Sequence, residues 1–183
     1  KKDEETGTIR KLSKRKDPEA LMFYYEEKGY PTEAVIDAVL TIANSNYEEW
    51  RTNNPDRPFY EFEFSPKKMS SSGALFDLDK LENISKNIIS KKKATEVYDE
   101  LFRWAEKYDK DFAELITKYK DYTTEILNIE REQKKPRKDF TNYSDIQGKI
   151  WYMYDELYEN HEKNYEFQVI SNKEEIKKIV DKY

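Results

Sequence analysis

The 183-residue sequence contains no cysteine and only one histidine, His161. Disulfides and thiolate metal sites are therefore excluded, and cysteine usage gives no indication of the redox compartment. The histidine lies near the end of the sequence, away from the paired acidic residues, and is interpreted as an exposed helix residue. No metal site is predicted.

Glycine is scarce, with four residues, and no long apolar run is present. A membrane helix needs about 18 or more consecutive apolar residues, and no stretch approaches that length. The start of the sequence also lacks the pattern of a signal peptide. Charged residues make up 39% and tyrosine occurs 15 times, which favours helices over tightly turned sheets. We expect a soluble, cytoplasmic, monomeric protein without membrane contact.

A net positive charge is also lacking. The net charge of -5 and the isoelectric point near 5.2 argue against a protein that coats nucleic acid nonspecifically. Cations are nevertheless concentrated at residues 10–16, 86–93 and 134–138, so any RNA contact should follow these segments.

Helical patterns dominate the first ninety residues. Asp17 as N-cap, Pro18 in the first turn and Gly29 as terminator predict a helix from about 18 to 28. Pro31 opens a second helix, and residues 77–85 carry a third helical pattern that an apolar patch extends to residue 89. The predicted inward-facing residues are Leu21, Tyr24 and Tyr25 on the first helix and Val35, Ile36, Val39, Leu40 and Ile42 on the second.

Two segments between these helices are predicted to be non-helical. Residues 44–58 are rich in asparagine and proline, which is typical of a connecting loop. Residues 59–64 alternate aromatic and acidic side chains, which predicts at most a short strand or a small hairpin. Apart from that segment, the predicted fold class is mainly α.

An antiparallel helical bundle is predicted for the second half. Apolar stripes over residues 97–108 and 112–129 predict an antiparallel helix pair. The basic run 134–138 interrupts the pattern, and apolar residues from Ile146 to Leu157 predict a third helix. A last short helix is expected at 174–182. Trp104 and Trp151 are predicted to be core residues.

A short basic segment near the N-terminus carries the strongest functional indication. Residues 11–15 read Lys-Leu-Ser-Lys-Arg, inside a stretch with five cations in seven residues. Ammonium groups beside a hydroxyl are suited to phosphate binding. A basic pentamer also occurs on many solvated surfaces, so the flanking residues must decide. Residues 68–72, Lys-Met-Ser-Ser-Ser, lack the second lysine and are not expected to bind ATP.

The flanking residues resemble the glutamyl-tRNA synthetases, which are class I aminoacyl-tRNA synthetases. Residues 6–20, Thr-Gly-Thr-Ile-Arg-Lys-Leu-Ser-Lys-Arg-Lys-Asp-Pro-Glu-Ala, are similar to the segment that follows the catalytic domain in that family. Residues 71–81, Ser-Ser-Gly-Ala-Leu-Phe-Asp-Leu-Asp-Lys-Leu, form a second match at about the expected spacing. The resemblance covers residues 6 to about 90 and continues beyond them only as a generic helical pattern.

This resemblance implies a domain organisation and an ATP-binding loop. It divides the chain into a lead-in with the signature loop (1–16), a connecting, stem-contact-like domain (17–90) and part of a helical anticodon-binding domain (91–183). The family's Lys-Met-Ser-Lys-Ser loop closes over ATP and falls here on Lys11, Leu12, Ser13, Lys14 and Arg15. Lys14 is implied as the catalytic lysine. ATP with Mg²⁺ and glutamate are the implied substrates of the full-length enzyme.

The resemblance also implies contact with tRNA(Glu). Basic residues near the end of the connecting domain and in the predicted bundle could bind phosphates, although ordinary solvation of helix ends explains them equally well. The candidates are Lys86, Lys91, Lys92, Lys93, Lys134, Lys135, Arg137 and Lys138.

A missing motif limits what this chain can do alone. The sequence has no His-Ile-Gly-His-type ATP motif, so we expect it to form no glutamyl-adenylate and to hold no cofactor by itself. A helical protein-interaction module without an RNA role is the alternative from another class. Within the family, a glutaminyl or nondiscriminating enzyme also fits, because the amino-acid pocket is absent.

Overall fold

Helices form nearly all the regular structure in the computed structural model, which describes residues 1–2, 7–69, 74–161 and 172–182. These ranges contain no β-sheet, only an isolated antiparallel bridge between Lys2 and Ile9, and the predicted mainly α fold is confirmed. The helices are α1 (Met22–Lys28), α2 (Thr32–Ala43), α3 (Tyr47–Asn53), α4 (Leu78–Lys91), α5 (Ala94–Tyr108), α6 (Lys110–Lys118), α7 (Lys120–Asn128), α8 (Ile146–Ile150), α9 (Asp155–Asn160) and α10 (Lys173–Val180).

Two compact units divide the chain, residues 1–149 and residues 150–183. The first contains α1 to α7 and most of α8, and the second contains α9 and α10. The functional boundaries expected at residues 16 and 90 stay predictions. None of the helices in the described ranges is long and apolar enough to cross a membrane.

The first predicted helix is shorter than expected. Pro18–Ala20 form a 3-10 turn, Leu21 is extended with φ -115° and ψ 134°, and α1 begins only at Met22. Asp17 does not cap this turn with its side chain, because its carboxylate binds other partners. Asp17 thus occupies the predicted N-cap position, but of a 3-10 turn and without a capping bond from its side chain. Leu21 is exposed rather than inward-facing, whereas Tyr25 is buried.

Gly29 ends α1 as predicted, in the left-handed region with φ 69° and ψ 39°. Its carbonyl accepts a hydrogen bond from the Tyr143 N–H at 3.0 Å. Trp104 Nε1 donates to the Glu27 carbonyl at 2.8 Å. A Cβ at position 29 would lie 2.8 Å from Trp104 Cδ1 and 2.8 Å from Tyr143 Cβ. The absence of a side chain therefore lets α1 contact α5 and the 3-10 turn at 143–145.

Helices α2 and α4 pack against each other around the first core. Asp77 caps α4 by accepting from the Lys80 N–H at 3.2 Å. On α2 the buried apolar positions are 34, 35 and 38, and Val39, which was predicted to face inward, is exposed. The buried cluster consists of Tyr25, Tyr30, Ala34, Val35, Ala38 and Leu81.

The segment 44–64 differs from the prediction. Helix α3 occupies the centre of the expected loop, and the asparagine and proline residues that indicated a loop lie around it. The Tyr47 ring is buried and meets Phe62 edge to face, with ring centroids 4.8 Å apart. The expected strand is a 3-10 turn at Phe59–Glu61. A seven-residue helix forms here because its aromatic face packs against Phe62.

Helix α5 packs against both α6 and α7. The second apolar stripe is divided between two helices at Tyr119, whose φ of -114° and ψ of 40° interrupt the helix, so the single long helix predicted there is wrong. Tyr122 and Ile129, at the edges of this stripe, are exposed. The buried residues are Val97, Leu101, Ala105, Phe112, Ile116, Ile126 and Leu127.

The predicted third helix is a series of short pieces. Helix α8 is followed by a 3-10 turn at Trp151–Met153 and then by α9. Ile146, Ile150 and Tyr154 are buried at the expected spacing. Helix α10 agrees with the predicted last helix to within two residues. Trp104 and Trp151, which were predicted to be core residues, are partly buried.

Replacing Gly29 with alanine tests the close contact at the end of α1. The left-handed backbone and the clash with Trp104 and Tyr143 should together cost about 2 to 5 kcal/mol of unfolding free energy, measured by urea denaturation. The matched control is Gly148→Ala, because Gly148 lies in α8 and no atom lies within 4 Å of the place that an added Cβ would take. That control should be neutral or stabilise by about 0.5 to 1 kcal/mol. Equal effects of the two substitutions would contradict the role assigned to Gly29.

Candidate nucleotide loop and basic surface

The predicted ATP loop is a turn anchored by one buried carboxylate. Asp17 is 1% exposed. Arg10 donates to its two oxygens at 2.6 and 2.8 Å, and the Ser13 N–H donates to it at 2.7 Å. The Ser13 carbonyl accepts from the N–H groups of Lys16 and Asp17 at 3.0 and 2.7 Å. Asp17 therefore holds both ends of the loop.

The neighbouring cations and N–H donors keep the Asp17 carboxylate ionised. The Arg10 guanidinium and the Ser13 N–H hold the pKa of Asp17 well below its usual range, and Lys1, 3.3 Å away, acts in the same direction. Hydrogen bonds to an ionised carboxylate are stronger than neutral ones. Arg10 is therefore engaged with Asp17. The cations available to a ligand are those that follow Arg10 in the sequence.

Four cations of the loop are exposed: Lys11, Lys14, Arg15 and Lys16. Their side chains form no ion pair with another described residue. Leu12 and Ser13 are half-buried between them. The loop thus presents positive charge on a fixed backbone, which suits a phosphate ligand.

Two basic segments that are distant in sequence line one concave surface. Residues 91–93 begin at the last residue of α4, residues 134–138 follow α7, and members of both line the same concavity. The lining includes six of the predicted tRNA-binding residues, whereas Lys86 and Arg137 lie outside it. The six are Lys91, Lys92, Lys93, Lys134, Lys135 and Lys138.

The cations of these segments differ in availability. Lys93, Lys134, Lys135 and Lys138 are exposed, and their side chains form no ion pair with another described residue. The other three predicted residues in the segments have acidic partners. The ion pairs are Lys91 with Asp56 at 2.8 Å, Lys92 with Glu100 at 2.5 Å and Arg137 with Asp139 at 2.8 Å.

Arg131 also lines this surface, and sequence reasoning missed it. It is 8% exposed. Its Nε donates to the Leu127 carbonyl at 2.8 Å, and its Nη1 donates to the carbonyls of Ile89 and Lys92 at 2.6 and 3.1 Å. Burial lowers its pKa. The only signal in the sequence was that Arg131 follows Leu127, a buried residue of α7, by four positions.

The side chains of Trp50 and Trp151 contact other rings of the chain. Trp50 lies 5.4 Å from Phe62 and 5.1 Å from the Arg51 guanidinium. In the second unit, Trp151 stacks with the exposed ring of His161, with centroids 3.9 Å apart. The described ranges contain no group of three or more acidic or histidine side chains that could hold a metal ion.

Comparison with known proteins identifies the relatives of this chain. No protein-family profile matches it, and no solved structure matches it. A glutamate–tRNA ligase of Clostridium perfringens is 46% identical over 175 residues, 95% of this chain. The ligase of Acetivibrio thermocellus is 45% identical over 179 residues, 98% of this chain. The chain is a relative of the glutamate–tRNA ligases. The resemblance seen in the sequence is confirmed.

The glutamate–tRNA ligase of Clostridium beijerinckii is 48% identical over 152 residues, 83% of this chain. These matches extend well beyond residue 90, where the sequence pattern alone indicated only generic helices. The chain spans about a third of the length of the ligases it matches, 32% of the Clostridium perfringens and Acetivibrio thermocellus proteins.

Substituting the anchor of the loop should loosen it. Asp17→Asn removes the charge that holds Arg10, so trypsin should cut faster after Lys14, Arg15 and Lys16, as mapped by mass spectrometry. Asp99→Asn is the matched control, because Asp99 lies exposed on α5.

The pH dependence has a defined direction. The pKa of Asp17 is depressed in the folded state, so its contribution to stability is complete above the usual value of 3.8 and is lost as the pH falls below it. The stability difference between the wild type and Asp17→Asn should therefore shrink below pH 4. A constant difference down to the acid limit of folding would contradict the assignment.

Proposed function

We propose that this chain is the C-terminal, tRNA-binding part of a glutamate–tRNA ligase, an enzyme that attaches glutamate to tRNA(Glu) through a glutamyl-adenylate. The observation that carries the proposal is the relation to glutamate–tRNA ligases over 95 to 98% of this chain. The exposed loop at residues 11–15 and the convergence of two basic segments support it. Glutamate is preferred over glutamine as substrate because the matched relatives are named for glutamate.

The loop supplies positive charge to the activation step. The glutamate carboxylate attacks the α-phosphorus of ATP, the bond to pyrophosphate breaks, and negative charge develops on the phosphoryl oxygens. The Lys14 ammonium stabilises this charge, Lys11 supports it, and Ser13 hydrogen-bonds the loop or the phosphates. Groups held in place before the reaction stabilise such charge most effectively, and the hydrogen bond that the Ser13 N–H donates to Asp17 holds the loop in place.

ATP would be a substrate of the full-length enzyme, and Mg²⁺ bound with it would neutralise phosphate charge. Four exposed cations suit the phosphates, and we therefore assign phosphate contact to this loop. The enzyme is expected to act as a monomer in the cytoplasm.

One observation favours a second candidate, a helical protein-interaction module. Met22 and Phe23, at the start of α1, are 72% and 58% exposed and line a groove next to Trp104. Exposed apolar side chains of this kind mark protein contacts. Binding to RNA separates the two candidates, because a protein-interaction module needs no affinity for phosphates.

Lys14→Ala tests the catalytic assignment in an enzyme of the full length of the relatives. The rate of pyrophosphate exchange should fall about 10² to 10³-fold, because one preorganised group typically supplies about 2.7 to 4 kcal/mol in the transition state. Affinity for tRNA should not change. The control is Lys178→Ala, an exposed lysine on α10. Unchanged exchange by Lys14→Ala would rule out the catalytic role, and exchange by the 183-residue chain alone would refute its expected inactivity.

A salt series tests the RNA-binding role of the chain. Electrophoretic mobility shifts with tRNA(Glu) transcript should give an affinity that falls steeply between 50 and 200 mM salt, about 10³-fold or more if six phosphates are contacted. Poly-glutamate, which carries negative charge without phosphates, should fail to displace the tRNA(Glu) transcript. Absence of tRNA binding, also in a chain of the full length of the relatives, would contradict the proposal and favour the protein-interaction module.

A further inference from the structure

A buried guanidinium connects the ends of two helices. Helix α4 ends at Lys91 and α7 ends at Asn128. The last four carbonyls of a helix lack partners within it, and Arg131 donates to carbonyls at both ends, those of Ile89 and Leu127. The negative ends of two helix dipoles thus face one cation, which compensates for its burial.

The same guanidinium determines where the two basic segments lie. Its third bond goes to the carbonyl of Lys92, in the middle of the first segment. The second segment begins three residues after Arg131, at Lys134. Ile89 and Arg131 are 42 residues apart in sequence, so no local structure could bring the segments together. The residue that binds the first segment thus lies three positions before the second.

The second segment is also closed on itself. Glu130 adopts a left-handed backbone with φ 52°, and its carbonyl accepts from the Arg137 N–H at 3.2 Å. The Arg137 guanidinium lies 3.4 Å from the Glu130 carboxylate. Residues 130–137 thus form a loop whose base carries Arg131, so movement of the guanidinium would displace the loop as a whole.

Charge on the concave surface is strongly one-sided. Its lining includes seven cations and one acidic residue, Glu132. Arg131 forms no ion pair with another described residue, so its charge adds to that of the exposed lysines. Clustered cations of this kind attract the phosphate backbone of a nucleic acid.

We propose that Arg131 is a positioning residue that joins the two basic segments into one phosphate-binding surface, on which Lys93, Lys134, Lys135 and Lys138 contact the RNA backbone. The proposal rests on the proposed tRNA role and deepens it. It also separates the predicted tRNA-binding residues by role: Lys91, Lys92 and Arg137 are engaged in ion pairs with acidic residues, and the four exposed lysines contact phosphate.

The contact residues are tested by removing their charges together. A variant with Lys93, Lys134, Lys135 and Lys138 all changed to alanine should bind tRNA(Glu) transcript more weakly, and the slope of log affinity against log salt should become shallower by about 3. Lysine acetylation of the wild type gives an independent measurement, because bound tRNA should protect these four lysines but not Lys178 on α10. A wild-type slope together with unprotected lysines would overturn the assignment of this surface.

Arg131 is tested by Arg131→Gln and by Arg131→Lys, which keeps the charge but cannot reach both helix ends with a planar fork of donors. If the two basic segments are correctly placed only about a tenth of the time without the bonds of Arg131, the apparent Kd for tRNA rises about tenfold. The matched control is Arg103→Gln, since Arg103 lies exposed on α5 and donates to a carbonyl of its own helix.

A distance measurement reports the positioning directly. The chain has no cysteine, so spin labels can be attached uniquely at Asn83→Cys on α4 and at Glu132→Cys in the loop 130–137, both exposed. Double electron–electron resonance should give one narrow distance in the wild type and in Arg103→Gln, and a broadened distribution in Arg131→Gln. If Arg131→Gln fails to fold, the same measurement on Arg131→Lys decides.

The possible failures are distinguishable. No tRNA binding by the wild type at any salt concentration would overturn the proposed function and this inference together. Loss of binding in the four-lysine variant, with wild-type affinity and a narrow distance in both Arg131 variants, would overturn only the positioning role. Weaker binding and a broadened distance in the Arg131 variants, with Arg103→Gln unchanged, is the expected result.

Discussion

The contact of Gly29 with Trp104 and Tyr143 is the constraint on which the rest of the first unit depends. A side chain at this position would overlap both neighbours, so α1 can reach α5 only through a glycine. Hydrogen bonds from Tyr143 to Gly29 and from Trp104 to Glu27 then hold the end of α1. Because α1 follows the anchored loop closely, this contact also determines where residues 11–17 lie relative to the helices.

The same junction is connected to the basic surface through buried polar contacts. The Tyr143 hydroxyl donates to Glu100, whose carboxylate also pairs with Lys92, and the Lys92 carbonyl accepts from Arg131. Burial and the neighbouring Glu100 carboxylate raise the pKa of Tyr143, so its hydroxyl remains a donor at neutral pH. A continuous series of hydrogen bonds thus leads from the turn after α1 to the two basic segments. Polar networks of this kind specify one arrangement when every member is satisfied.

Periodicity predicted the helices whose buried faces are long. Helices α2, α4 and α5 carry apolar residues at spacings of three and four over at least three turns, and local pattern was sufficient for them. Local periodicity failed where contacts with residues distant in sequence determine the structure. Helix α3 is only seven residues long and is stabilised by Phe62 and by the pairing of Arg51 with Asp37 at 2.8 Å. No proline or glycine marks the break at Tyr119 in the sequence. The helix is interrupted there because both α6 and α7 pack against α5.

The sequence by itself determined the resemblance to the glutamate–tRNA ligases, the mainly α fold and the basic loop at residues 11–15, because each is encoded in neighbouring residues. Tertiary structure decided how the charges are used. Asp17 carries the signature of a helix cap, yet its carboxylate binds Arg10 and the loop, because the backbone at Leu21 is extended rather than helical. Arg131 lies about forty residues from two of the three carbonyls it binds, and two basic segments become one surface only when α4 and α7 end at the same place. Such convergence depends on packing between helices, which the spacing of residues within one helix does not predict.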